Sequence, residues 1–298
     1  MKLEQRAAPH RAAPARSGRL ISPRAALVAG GVVVLALAAL VTAGLLRGGG
    51  GTGSGATGSA TAGSQGASAP AALVAQVAHT PAHVDAAAGG GDKASYSPST
   101  VAGGALRRVG GKPLVFYLGA EFCPYCAAER WALVNALGRF GTFHGLRLTH
   151  SAADDVFPST PTFSFDGARY TSPYLTLQTV EYASNERQGS GYAPLQTPSA
   201  PQQSLFSRFD APPFVAERGA IPFVYLGGRY VSQGSQVQPG LLQGKTPSQV
   251  ARAIRQPGSP ISTSVVGSAN RLTAALCSLT GGKPASACSL PAVRALAG

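Results

Sequence analysis

Leu114-Val115-Phe116-Tyr117-Leu118-Gly119-Ala120-Glu121-Phe122-Cys123-Pro124-Tyr125-Cys126 is the stretch from which the fold is read. Its first half is a continuous apolar run, the pattern of a buried strand over 114–118. Its second half is a Cys-x-x-Cys that opens a helical pattern over 126–140. Strand, cysteine pair and helix in that order make the two thiols unlike. Cys123 falls at the helix N-terminus, where unpaired backbone N–H groups and the positive end of the macrodipole stabilise a thiolate. Pro124 suits the first turn, where its missing N–H costs nothing. Cys126, one turn in, is covered and placed to attack a mixed disulfide formed at Cys123. The same spacing serves zinc sites and structural disulfides. The strand-to-helix setting favours the redox reading.

Outward from this motif the elements alternate. Apolar positions Ala127, Trp131, Val134 and Leu137, widened by Leu133 and Phe140, mark one helix face, and Gly141 ends it. A second strand is expected over 146–151, which gives a βαβ unit with parallel strands and a right-handed crossover. Further strands are expected over 163–165 and 170–182, with Asp166-Gly167 as their turn. Residues 189–201 are rich in Pro, Gly, Ser and Thr and read as a surface loop, followed by a helical turn or two over 205–209. Ile221-Pro222 then leads the apolar run Phe223-Val224-Tyr225-Leu226, a Gly227-Gly228 turn and a second strand, a strong hairpin pattern. Thr246 caps a helix over 246–254 with Pro247 at its first position. A last amphipathic helix is expected over 268–279, ended by Gly281-Gly282.

The order strand, Cys-x-x-Cys, helix, strand, insertion, Pro-led hairpin and helix resembles the thioredoxin fold. The expected class is therefore α/β with a mixed sheet, an insertion between the second strand and the hairpin, and one N-terminal transmembrane helix. In that fold a cis-proline faces the active-site disulfide, and Ile221-Pro222 occupies the matching position. The resemblance implies that the Ile221 backbone pairs with an incoming polypeptide. Residues 119–133, beginning Gly119-Ala120-Glu121-Phe122-Cys123, resemble the signature of a thioredoxin-like family of archaea and actinobacteria, the domain of unknown function 929 group. Three further stretches resemble it: Thr160-Pro161-Thr162-Phe163-Ser164-Phe165, Tyr170-Thr171-Ser172-Pro173-Tyr174 with Val180-Glu181, and Ala269-Asn270 onward to Cys288. The tryptophan that often precedes the first cysteine of thioredoxins is Phe122 here.

The remainder of the 298 residues sets the compartment. Residues 25–46 carry no charge and, as a helix, span about 33 Å, enough to cross a bilayer core of about 30 Å. Lys2, Arg6, Arg11, Arg16, Arg19 and Arg24 precede that run against the single acid Glu4, which keeps the tail in the cytoplasm. The rival is a cleaved signal peptide; the run is longer than a usual apolar signal region, and Arg47 follows without a small-residue cleavage site. The expected plan is a basic cytoplasmic tail (1–24), a transmembrane helix (25–46), a Gly/Ser/Ala-rich linker (47–72) and an extracytoplasmic domain (73–298) whose core begins at about 105. The linker composition is that of a flexible tether.

After Thr100 there are 17 Lys/Arg and 9 Asp/Glu, so the domain is basic. Attraction to anionic lipid headgroups and a merely solvated arginine-rich surface both fit. Scattered charges outside the cytoplasm exclude nucleic acid. The four cysteines all follow the anchor, which fits an oxidising compartment. Cys277 and Cys288 enclose ten residues with Gly281-Gly282 and Pro284 at the reversal. A structural bridge is the first reading of that pair, with a relay to Cys123/Cys126 as the other.

The expected function is that of a membrane-anchored thiol–disulfide oxidoreductase of protein substrates. Cys123 and Cys126 are its catalytic pair, and Pro124, Tyr125, Ile221 and Pro222 are its substrate surface. No cofactor or metal is expected. Its partners are protein thiols and disulfides, the membrane, and a quinone-linked thiol oxidase as one candidate for resetting the site. The alternative is a binding or scaffold module, or a copper-handling protein. The only methionine is Met1 and no histidine lies close in sequence to Cys126, which counts against copper. Glu129 reads as a helix-surface charge, with proton acceptor for Cys126 as its other role. Arg130 reads as favouring a thiolate or pairing with Glu121 or Glu129 in solvent. His144 and His150 read as surface residues, and Trp131 as core.

Overall fold

The computed structural model describes residues 66–92 and 98–297. The tail over 1–24, the anchor expected over 25–46 and most of the linker lie outside those residues. Among the described residues no helix is long and apolar enough to cross a membrane.

Two short helices come first, α1 (Ala71–Ala78) and α2 (Ala82–Ala88), each led by a proline in extended conformation. Then follow β1 (Ser99–Thr100), β2 (Arg108–Val109) and β3 (Lys112–Gly119). Helix α3 (Pro124–Gly138) has Cys123 as its N-cap and a proline in its first turn. Six strands follow: β4 (Thr142–His144), β5 (Arg147–His150), β6 (Pro161–Ser164), β7 (Arg169–Thr171), β8 (Thr176–Glu181) and β9 (Ala183–Gln188). After β10 (Gly191–Pro194) comes α4 (Ala200–Phe209), then β11 (Phe223–Leu226) and β12 (Tyr230–Gln233). The chain ends in α5 (Pro247–Ile254), the long α6 (Pro260–Thr280), α7 (Ala285–Cys288) and α8 (Pro291–Arg294).

The central sheet is mixed. Strand β3 pairs parallel with β8 on one side and antiparallel with β11 on the other. Strand β12 pairs with β11 around the Gly227-Gly228 turn, and β1 extends that edge. The strand parallel to β3 is therefore Thr176–Glu181, not the expected 146–151. Strand β5 pairs antiparallel with β6 and with a single bridge at Ser68, away from the central sheet. The hairpin expected about Asp166-Gly167 is also absent: β6 pairs back to β5, and β7 pairs back to β4. Both corrections have one cause. Short half-polar strands carry no local signal of their partner, so a non-local pairing overrode the nearest-neighbour one. Residues 189–201 contribute β10 and the first turn of α4 rather than loop alone.

Helix α3 lies in the interior, with Trp131, Leu133, Val134, Leu137 and, just beyond its end, Phe140 all buried. Trp131 donates its indole N–H to the Pro161 carbonyl at 2.8 Å, which satisfies the one polar atom of a core side chain. Helix α6 packs beside α3 and starts eight residues before the expected 268, because Ser259 and Pro260 supply a cap and a first turn. It ends at Gly281, whose φ of 64° gives the left-handed cap. The core does not begin at about residue 105. Leu73, Val77, Val84 and Ala88 from α1 and α2 belong to the same apolar cluster as α3. Asn135 on α3 donates to the Val77 carbonyl at 2.6 Å, and Arg139 pairs with buried Asp85 at 3.0 Å. The strap after α2 runs so close to α6 that a Cβ on Gly267 would lie 2.2 Å from the Cα of Gly91.

Candidate active site

Strand β3 is buried from Pro113 to Gly119 and delivers the chain to the C-terminal end of the sheet's central strand. The loop that follows is pinned by backbone bonds: Glu121 N–H donates to Ala183 O at 2.9 Å, and Ala152 N–H to Phe122 O at 2.8 Å. Cys123 is thus held in extended conformation as the N-cap, and its sulfur accepts from the Cys126 N–H at 3.4 Å. Cys123 is 7% exposed and Cys126 is fully buried; both are free thiols. Across the cleft the Ile221 carbonyl lies 4.0 Å from the Cys123 sulfur. The Ile221–Pro222 bond is cis. Of the expected substrate residues, Tyr125 is the most open at 41% exposed, whereas Pro124 and Pro222 are buried.

The two thiols are held at different acidities. A hydrogen bond from the Cys126 thiol pulls Cys123 below its ordinary value despite burial. The backbone N–H groups of Cys126 and Tyr125 and the charge of Arg130 add to that pull. Burial pushes Cys126 well up, and the neighbouring Cys123 sulfur adds to the rise; Arg130 opposes it. The direction agrees with that expected from helix position, though the thiol–thiol hydrogen bond and burial are the larger causes.

Beneath the thiols lies a cluster of buried charge, which the sequence reading placed at the surface. Arg130 is not in solvent and pairs with neither Glu121 nor Glu129. It is fully buried and binds Glu181 of β8 through two 2.7 Å hydrogen bonds, the planar fork of an ion pair. It also donates to the Ala120 carbonyl at 2.7 Å. Glu129 is not a surface charge either. It is buried, accepts from Gln236 N–H at 2.9 Å and from Ser235 at 3.3 Å, and burial pushes its carboxyl up to about 7. Glu121, also buried, accepts from the Ser164 hydroxyl. Charged residues are almost never fully buried unless paired, so the type of residue pointed the other way. Tyr117 and Glu181 were missed for a related reason. Each ends up in the site through strand pairing, and the only local hint was an acid directly after Val180 at the end of a strand pattern.

Gly119 shows how tightly the cluster is drawn. A Cβ there would sit 2.2 Å from the Tyr117 hydroxyl and 3.1 Å from the Cys126 sulfur. The rim is aromatic: Phe122 stacks on Tyr192 at 4.2 Å between ring centres, and Tyr125 meets Phe157 edge-on at 5.9 Å.

Cys277 and Cys288 are bonded to each other, with Cα atoms 5.6 Å apart, and join the end of α6 to α7. His144 and His150 are exposed. Among the described residues no three His, Cys, Asp or Glu side chains are grouped to hold a metal ion.

The comparisons with known proteins bear on the segment of the chain that carries this site. Residues 107–192 match a family model described as a domain of unknown function, DUF929. That segment includes β3, both thiols, Arg130 and Glu181. No curated protein matches the chain, and no solved structure does.

Proposed function

We propose that the chain is a membrane-anchored, extracytoplasmic thiol–disulfide oxidoreductase with a thioredoxin-like fold, acting on protein thiols and disulfides. The observation that carries this reading is the inequality of the two free thiols. One is at a helix N-terminus, slightly open and acidified; the other is fully buried and raised. The sheet order β8-β3-β11-β12, with the cysteines between β3 and α3 and the Ile221 carbonyl beside Cys123, supports the fold reading. In the reaction Cys123 attacks a substrate disulfide, or is attacked as part of one, and Cys126 resolves the mixed disulfide. Tyr125 and the Phe122–Tyr192 stack form the surface beside the reacting sulfur. The anchor over 25–46 and the oxidising compartment rest on the charge asymmetry and the cysteine usage given above.

The test is trapping. Cys126→Ser should accumulate a mixed disulfide through Cys123, and Cys123→Ser should accumulate little. The alkylation rate of Cys123 against pH should place its pKa below the roughly 8.5 of a free thiol. A value at or above that, with nothing trapped, rejects the enzyme reading in favour of a scaffold. For topology, a protease that cannot cross the membrane should digest the domain in intact cells; protection of the C-terminal part rejects the outward orientation.

A further inference from the structure

The interior beneath the cysteines holds two donors with nothing to donate to. Arg130 uses Nε and Nη2 on Glu181 and Ala120, but its Nη1 is buried without a partner, and so is the hydroxyl of Tyr117. A buried donor left unmade is costly, and more so when it is charged. Two such donors side by side call for an acceptor that the resting state lacks. They are neighbours: the guanidinium carbon lies 5.9 Å from the centre of the Tyr117 ring. The Tyr117 hydroxyl and the Cys126 sulfur converge over Gly119, which has no side chain to separate them. A neutral thiol is a weak acceptor, whereas a thiolate is a strong one.

We propose that Arg130 and Tyr117 are positioning residues for the second step, a buried donor pair that receives Cys126 as a thiolate while it resolves the mixed disulfide. The proposal rests on the thiol–disulfide reading above. Cys123 does not need the pair in the same way, because its sulfur already has the Cys126 N–H and the helix N-terminus. Glu129, one turn along α3, spends one carboxylate oxygen on Gln236 and Ser235 and keeps the other buried without a partner.

The groups that bear on the Cys126 sulfur are Cys123 and Arg130 from its own helix, Tyr117 from β3 and Tyr182 after β8. Glu181 stands behind Arg130 and neutralises part of its charge. Tyr117 is held protonated by burial, so it donates.

In the step itself Cys126 gives up its proton, which is made good by the one the departing substrate sulfur takes up, and the thiolate attacks the Cys123 sulfur of the mixed disulfide. The Cys123–Cys126 bond forms, the bond from Cys123 to the substrate sulfur breaks, and the substrate leaves with the electron pair and takes a proton from solvent. The protein dithiol is oxidised by two electrons and the substrate disulfide is reduced; the reverse direction retraces the same atoms.

The test uses the full chain and an aromatic disulfide probe, 5,5′-dithiobis(2-nitrobenzoate), at one equivalent. The first thionitrobenzoate released reports attack by Cys123, and the second reports attack by Cys126. Arg130→Met should slow the second release about tenfold at pH 7 and raise its pH midpoint by about one unit, with a smaller change in the first release. Tyr117→Phe, which removes only the unpartnered hydroxyl, should slow the second release at least about threefold. If Arg130→Met does not fold, because Glu181 is left unpaired, Arg130→Met with Glu181→Leu removes both charges and is read in its place. A second release that keeps its rate and pH midpoint in Tyr117→Phe and in the folded Arg130 variant overturns the proposal alone. A wild-type chain that gives no first release overturns the thiol–disulfide reading and the proposal with it.

Discussion

The two cysteine pairs sit at opposite kinds of helix end. Cys123 caps the start of α3, where the dipole and free N–H groups favour a sulfur anion. Cys277 lies in the last turn of α6, four residues ahead of the Gly281 cap, where the dipole disfavours one. The first pair is free and overlies an Arg130–Glu181 ion pair; the second is closed and borders the apolar core. One residue type thus has two uses, set by which end of a helix it occupies and by what charge lies behind it. A helix start with buried donors suits a sulfur that must repeatedly carry charge. A helix end sealed onto a following turn suits a sulfur that never should.

The sharpest way to break this comparison is an all-or-none labelling. In the native chain a thiol-alkylating reagent at neutral pH should modify Cys123 alone, read by peptide mass. Label on Cys277 or Cys288 would show that the second bridge is open.

The next largest effect concerns charge behind the first pair. Glu129 has its carboxyl raised by burial from 4.5 to about 7. Its contribution to stability is therefore present in full below about pH 4.5 and is lost as pH rises through about 7, because the folded state then holds a proton that the unfolded state has released. Glu129→Gln should raise unfolding free energy by up to about 3 kcal/mol at pH 8 and leave it unchanged at pH 4, by denaturant titration at both. An equal gain at both values would show that the effect is not ionisation.

Replacing Cys277 and Cys288 by serine should cost about 2–3 kcal/mol, the chain-entropy value for so short a loop, with probe exchange at Cys123 retained. Loss of exchange with unchanged stability would make the second pair a relay and dissolve the contrast. The smallest effect is expected at Asp154, whose 2.6 Å pair with Arg187 is half exposed on the site's rim. Asp154→Asn should leave the melting temperature unchanged, since solvent screens such pairs; a marked drop would show that the rim, too, depends on charge.

Much of the local structure was legible. The 114–118 run, the Cys-x-x-Cys helix start, the Gly227-Gly228 hairpin and the Thr246 cap each carry their signal within a few residues, and the structure places strands, caps and turns there. The partner of β3 was not legible. Residues 146–151 and 176–181 are both short and half-polar, and only the packed fold decides which lies beside β3. The same holds for the site. Its thiols announced themselves, but the interior beneath them is built from Glu129, Arg130 and Glu181, residue types whose ordinary place is the surface. Arg130 and Glu181 are joined across α3 and β8, 51 residues apart, and Glu129 is held by Ser235 and Gln236, more than a hundred residues away.

The entry of the chain into the domain has a mechanical side. Ala69 N–H bonds Leu146 O at 2.9 Å, Leu148 N–H bonds Ala67 O at 2.8 Å, and Ser68 bridges Arg147 in antiparallel fashion. Tension applied at Gly66 along this run loads those bonds together, in shear, rather than peeling them one at a time. From β5 the load passes to β6, and from the Pro161 carbonyl of β6 to the indole of Trp131. Trp131 stands on the helix that begins at the two free cysteines, so a pull on the incoming chain is delivered to the element that holds the two sulfurs in place.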